Sequence, residues 1–112
     1  MSKEIKRILT QPMYYVLLSL REQRHGYEIM QYVEWLTKGR VKIGPGTLYS
    51  LLSKFEEDEW IKMISDDDNK KIYLIQPLGQ EAIEQEIERL ELLLSDAVSV
   101  KEGNEDEFQN RK

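Results

Sequence analysis

The spacing of apolar residues changes twice along this chain, from a helical to a strand period near Trp60 and back after Pro77, and that order limits the folds open to it. Ahead of Trp60, Pro12 opens a segment with Met13, Val16, Leu17 and Leu20 on one helical face, expected to end near residues 22–24. Residues 27–38 repeat the pattern with Ile29, Tyr32, Val33 and Leu36, and Gly39 stands where a left-handed cap is expected. Pro45 then starts a third helix on Leu48, Leu51, Leu52 and Phe55. Residues 60–65 and 71–76 have strand length, and the cluster Asp66, Asp67, Asp68 and Asn69 between them predicts a hairpin. Beyond Pro77, residues 78–98 place Ile83, Ile87, Leu90, Leu94 and Ala97 at alternating spacings of four and three, the seam of a long helix. A short helix is also expected over 2–10, with Ile5, Ile8 and Leu9 on its apolar side, and the polar stretch 99–112 reads as a loose tail.

Charge is distributed by segment. The chain carries −5 over 112 residues, but 1–54 holds +5, 55–65 holds −3 and 66–112 holds −7. A phosphate-binding role is therefore open to the first half in spite of the acidic total. Zero Cys and one His exclude disulfides, thiol chemistry and cysteine or histidine metal clusters, so no cofactor is expected. The longest apolar run, 13–18, is far short of a bilayer span, and the charged start lacks a signal-peptide core, which suggests a cytoplasmic protein with no membrane partner. No repeat or Gly/Pro/Ser-rich linker divides the chain. Its expected organisation is 1–77 as one domain, 78–98 as a C-terminal helix and 99–112 as tail.

Three short helices followed by a hairpin is the order of a winged helix-turn-helix, a mainly α fold with a small β wing, in which the third helix enters the DNA major groove. Thr47, Ser50, Ser53 and Lys54 fall away from the apolar stripe of that helix and give it a compact face of hydrogen-bonding groups. The Gly44-Pro45-Gly46 start leaves the N–H groups of Gly46 and Thr47 free at the positive end of the helix dipole. Lys38, Arg40 and Lys42 lie just before it, and Lys70 and Lys71 follow the hairpin tip, where a wing would meet the DNA backbone. Each feature has a plainer reading: a solvated loop, a helix start, an ordinary polar surface. The acidic run 56–59 would repel phosphates and is expected to point away from DNA, leaving the N-terminal half of the third helix inward.

The ordered series Pro12-Met13-Tyr14-Tyr15-Val16-Leu17-Leu18-Ser19-Leu20, His25-Gly26-Tyr27-Glu28-Ile29 and Gly44-Pro45-Gly46-Thr47-Leu48-Tyr49-Ser50-Leu51-Leu52 resembles the PadR family of bacterial transcriptional regulators. The likeness continues through Phe55-Glu56-Glu57-Asp58, Lys71-Ile72-Tyr73-Leu74-Ile75 and Gln76-Pro77-Leu78-Gly79 and covers about residues 12–80. It implies a winged helix-turn-helix repressor that forms a homodimer through its C-terminal helix and binds inverted-repeat operators in double-stranded DNA. It also implies that Tyr27, Thr47, Tyr49 and Ser50 lie near DNA, Tyr49 through its hydroxyl, with Lys70 and Lys71 on the wing. For both tyrosines the alternative is half-buried packing. Some family members release DNA when a small aromatic compound binds near the dimer interface. Here the helix after Pro77 has no aromatic residue, and Trp35, Tyr14 and Tyr15 could line such a pocket, although core packing is the expected use of each. Glu59-Trp60 replaces the family's usual Gly-aliphatic pair, and the wing tip lacks its usual arginines.

The seam Ile83, Ile87, Leu90, Leu94 and Ala97 covers about two heptads, enough for part of a symmetric dimer interface, which Leu92 and Leu93 would widen and Ile5, Ile8 and Leu9 would embrace. An intramolecular core is the other use for it. Two further functions compete with DNA binding. An enzyme would need a nucleophile, base or metal constellation that the chain does not offer. A winged-helix module that binds protein fits the acidity but not the basic first half.

Overall fold

The computed structural model describes residues 8–67, 70–103 and 105–111. Its elements run α1 (Gln11–Ser19), β1 (Arg24–His25), α2 (Gly26–Leu36), α3 (Pro45–Glu57), β2 (Ile61–Asp67), β3 (Lys70–Ile75), α4 (Pro77–Lys101) and a short α5 (Glu105–Gln109). The three strands form one antiparallel sheet in the order β1-β3-β2. This is the helix-helix-helix-hairpin-helix order read from the sequence, with β1 added.

The helix expected over 2–10 lies largely outside the described residues, Ile5 included, and residues 8–10 are not helical. Thr10 instead caps α1, its Oγ1 accepting the Met13 N–H at 3.3 Å. Met13, Val16, Leu17 and Leu20 are buried as expected, in one core with Ile29, Val33, Leu48, Leu52, Phe55, Ile61 and Ile83. The first helix closes at Ser19, earlier than its pattern suggested, because the chain must turn into β1. There Arg24 faces Tyr73 and His25 faces Ile72 across the ladder, and the Ile75 N–H donates to the Leu20 carbonyl at 2.9 Å. Both contacts tie the root of the hairpin to the α1–α2 corner.

Both inner helices end in Schellman motifs, with a side-chain-bearing residue in the left-handed position. At the end of α2, Lys38 has φ 52° and Gly39 follows at φ 80°, with the Gly39 N–H donating to the Glu34 carbonyl at 2.8 Å. The left-handed backbone expected at Gly39 is present, and Lys38 before it shares that conformation as the first strained position. At the end of α3, Glu59 has φ 61°, the Trp60 N–H reaches the Phe55 carbonyl at 2.8 Å, and the Phe55 and Trp60 rings stack at 5.5 Å. Glu59, where the resemblance implies glycine, carries a side chain through the left-handed region at a cost of about 1 kcal/mol.

In α4 the first turns belong to the domain itself: Gly79, Ala82, Ile83 and Glu86 are buried, and the helix packs on α1. A Cβ on Gly79 would collide with the Trp60 carbonyl oxygen and come within 2.9 Å of Ile75 Cγ1, so only glycine lets the helix axis pass this close to the sheet. Glu86, 5% exposed, accepts Arg89 Nη2 and Nε and, at 3.4 Å, the Leu9 N–H. The bond to Arg89 holds its carboxyl below the usual range. Farther along, α4 leaves the domain and runs to Lys101, three residues past the expected end, and part of the stretch read as tail is helical in α5. The radius of gyration, 17.9 Å, exceeds the roughly 13 Å of a compact chain of this length because of this projecting rod.

Candidate nucleic-acid interface

The third helix is positioned from beneath. Leu48, Leu52 and Phe55 are buried, which fixes its axis and rotation and leaves Thr47, Tyr49, Ser50, Ser53 and Lys54 exposed on its outer side. Gly44 caps it with extended backbone, and Gly46 and Thr47 are open to solvent at its positive end.

The second helix starts at an unusual cap. The Glu28 N–H donates to His25 Nδ1 at 3.4 Å, while the His25 N–H donates to Glu28 Oε1 at 3.1 Å, a reciprocal capping box built on histidine. That cap presents Tyr27 to solvent beside α3. Against the first residue of α2, Gly26, lies the phenol of Tyr49, which remains 52% exposed. The His-Gly-Tyr and Pro-Gly-Thr-Leu-Tyr segments therefore meet in space.

Between α2, α3 and the hairpin runs a groove of about 570 Å³, lined by His25, Tyr27, Tyr49, Ser53, Lys70 and Lys71 among others. The fold thus gathers candidates from three separate stretches of sequence into one concave surface. Two groups there were not anticipated. Tyr73 lies nearly buried at the floor, its hydroxyl pushed up in pKa by burial and then by Glu56, Tyr49 and Asp66. Glu56 also lines the groove, so the acidic run is not wholly separated from the candidate residues: one further helical turn carries the exposed side from Ser53 to Glu56. Asp66 stands opposite Lys71 in the ladder, so the wing carries mixed charge.

Lys38, Arg40, Lys42, Gly44, Gly46, Thr47, Ser50 and Lys54 are outside this groove; the first three are exposed on the turn before α3. Lys42 Nζ is 3.8 Å from Glu34 Oε1, a loose solvent-exposed pair that leaves the ammonium available. Thr37 shapes that turn from within: its buried hydroxyl donates to the Val33 carbonyl at 2.8 Å and accepts the Val41 N–H at 3.1 Å.

Of the residues assigned to a dimer surface, Leu9 and Ile83 are buried in the domain's own core and Ile87 packs against it, because the start of α4 closes over α1. Ile8, Leu90, Leu93, Leu94 and Ala97 are exposed, as is Leu92. Trp35 is also misjudged as a core residue: it is 71% exposed, 5.6 Å from the Tyr32 ring, and the hollow beside it contains neither Tyr14 nor Tyr15. Among the described residues no group of three or more His, Cys, Asp or Glu could hold a metal, and no helix is long and apolar enough to cross a membrane.

A family model described as transcriptional regulator PadR-like matches residues 16–85. A transcriptional regulator of Escherichia coli, YqjI, is 29% identical over 73 residues, which are 65% of this chain and 35% of that protein. The chain thus spans about a third of the length of the curated relatives it matches. A transcriptional regulator from Clostridium thermocellum, Cth-833, superposes with a TM-score of 0.66 at 24% identity, covering 80% of this chain and 90% of that one. Bacillus subtilis PadR in complex with operator DNA gives 0.58 at 21% identity, covering 67% and 45%. These structural likenesses establish the winged-helix fold.

Proposed function

The chain belongs to the PadR-like family of transcriptional regulators, and on that footing we propose that it binds double-stranded DNA sequence-specifically as a homodimer and represses transcription from inverted-repeat operators. It is a regulator and not an enzyme. The observation that carries the reading is the outer side of α3. Small hydroxyl side chains and Tyr49 project there from a helix locked by three buried residues, flanked by the start of α2 and by Lys70 and Lys71 of the wing. In this reading Thr47, Ser50 and Ser53 meet base edges, and Gly44, Gly46, Tyr27, Tyr49, Lys38, Arg40, Lys42 and Lys54 fix the register on phosphates. The solvent-exposed leucines 90, 92, 93 and 94 join two copies. Relief of repression by a small aromatic compound belongs to the same reading.

Selection from a randomised duplex library, followed by anisotropy titration across salt concentrations, tests the DNA-binding reading. The expected result is a palindromic motif with half-sites about one helical turn apart. If about six phosphates are neutralised, log affinity should fall against log salt with a slope near −5. Tyr49→Phe and Lys42→Ala should weaken binding at unchanged mass. Failure to enrich any duplex, or binding indifferent to salt, rules the reading out in favour of a protein-binding module.

A further inference from the structure

We propose that Gly26 is a positioning residue for DNA binding: by having no side chain it seats the Tyr49 phenol against the start of α2 and so fixes where α3 presents that hydroxyl. The inference rests on the DNA-binding reading above and adds a residue that makes no contact of its own with the ligand.

Glycine at this position has no conformational explanation. Gly39 and Gly103 have positive φ, whereas Gly26 does not, so its backbone is open to any residue. Space is the constraint. A Cβ built there would sit 2.6 Å from Tyr49 Oη, 3.1 Å from Cζ and 3.3 Å from Cε1, with the phenol as its nearest neighbour. The consequence of filling that space follows from what can move. Leu48 and Leu52, on either side of Tyr49, are buried to 1% exposure or less, so the backbone of α3 is held. The tyrosine ring is half-exposed, and the atoms a Cβ would meet are the far end of its side chain, the part best able to give way. A methyl group at position 26 would therefore displace the ring and leave the fold in place, moving the hydroxyl while Thr47, Ser50 and Ser53 stay where they are.

A double-mutant cycle tests this, with a fluorescein-labelled duplex selected from the randomised library by the wild-type protein as probe. Gly26→Ala should weaken binding about tenfold, the scale of one lost charge-assisted hydrogen bond, with no fall in melting temperature. Tyr49→Phe should weaken it similarly. With the hydroxyl already gone, Gly26→Ala should add less than about twofold, so the two losses should be strongly non-additive. Wild-type affinity in Gly26→Ala overturns the proposal. So does an equal loss from Gly26→Ala with and without Tyr49→Phe, which would mean that residue 26 acts through the stability of α2. A wild-type protein that selects no duplex removes the DNA-binding reading and this one with it. Wild-type binding with an additive cycle removes this one alone.

Discussion

The two halves of α4 share one apolar rhythm and meet opposite surroundings. In the first, Gly79, Ala82, Ile83 and Glu86 are buried against α1 and the root of the hairpin. In the second, Leu90, Leu92, Leu93, Leu94, Val98 and Val100 lie on the surface. Heptad spacing alone therefore does not say what a helix packs against. The distinguishing marks are a glycine where the axis crosses the sheet and a carboxylate whose partners, Leu9 and Arg89, close the last buried turn.

Breaking each half separately should give different failures. In the buried half, Gly79→Ala sets a methyl group against a backbone carbonyl that cannot step aside, and we expect a loss of about 3 kcal/mol or more, with the melting temperature reduced by more than about 10 °C. Circular dichroism melts check this, and a loss under about 1 kcal/mol would mean that α4 can shift away from the sheet. In the exposed half, Leu90→Asp with Leu94→Asp should leave the melt of the domain nearly unchanged and convert the proposed dimer to monomer in light scattering. An unchanged dimer mass would assign association to another surface.

Glu86 marks the boundary between the halves, and its effect should be smaller. Its carboxyl is held below the ordinary range by Arg89, so its contribution to stability is complete above the unfolded pKa, near 4.5, and is lost as pH falls through the lower folded value. Glu86→Gln should cost about 2 kcal/mol at neutral pH and flatten the acid limb of the stability profile, measured by urea unfolding from about pH 3 to 7. An acid limb as steep as that of the wild type would place the pH-sensitive group elsewhere. The smallest effect is a gain: Glu59→Gly should stabilise by about 1 kcal/mol by relieving the left-handed residue, with DNA binding untouched. No gain in the urea midpoint would mean that the Glu59 side chain offsets its own strain.

Most of the architecture is legible along the chain because the helical stripes and the hairpin turn are local patterns. What escaped needed distant partners. β1 is a two-residue strand that exists only because β3 lies beside it. His25 was visible as a lone histidine, but its use as a cap depends on the backbone angle at which α2 begins. Leu9 looked like one face of a helix and is instead a core residue held by a carboxylate 77 positions away. The candidate interface was partly legible in the same sense. Its residue types and order were plain, whereas the presence of Glu56 in the groove follows from how the wing folds across α3. Trp35 misled because large aromatic side chains are usually buried, and only the rotation of α2 shows that this one is not.

Because α4 continues unbroken from Gly79 to Lys101, it couples distance to phase. One residue inserted after Glu88 would advance the leucines by about 1.5 Å and swing them through roughly 100° relative to the domain, whereas seven would restore their direction to within about 20° and add roughly 10 Å of reach. In a two-fold assembly built on those leucines, such insertions would retune the separation and relative twist of the two reading heads, a caliper whose setting is counted in residues.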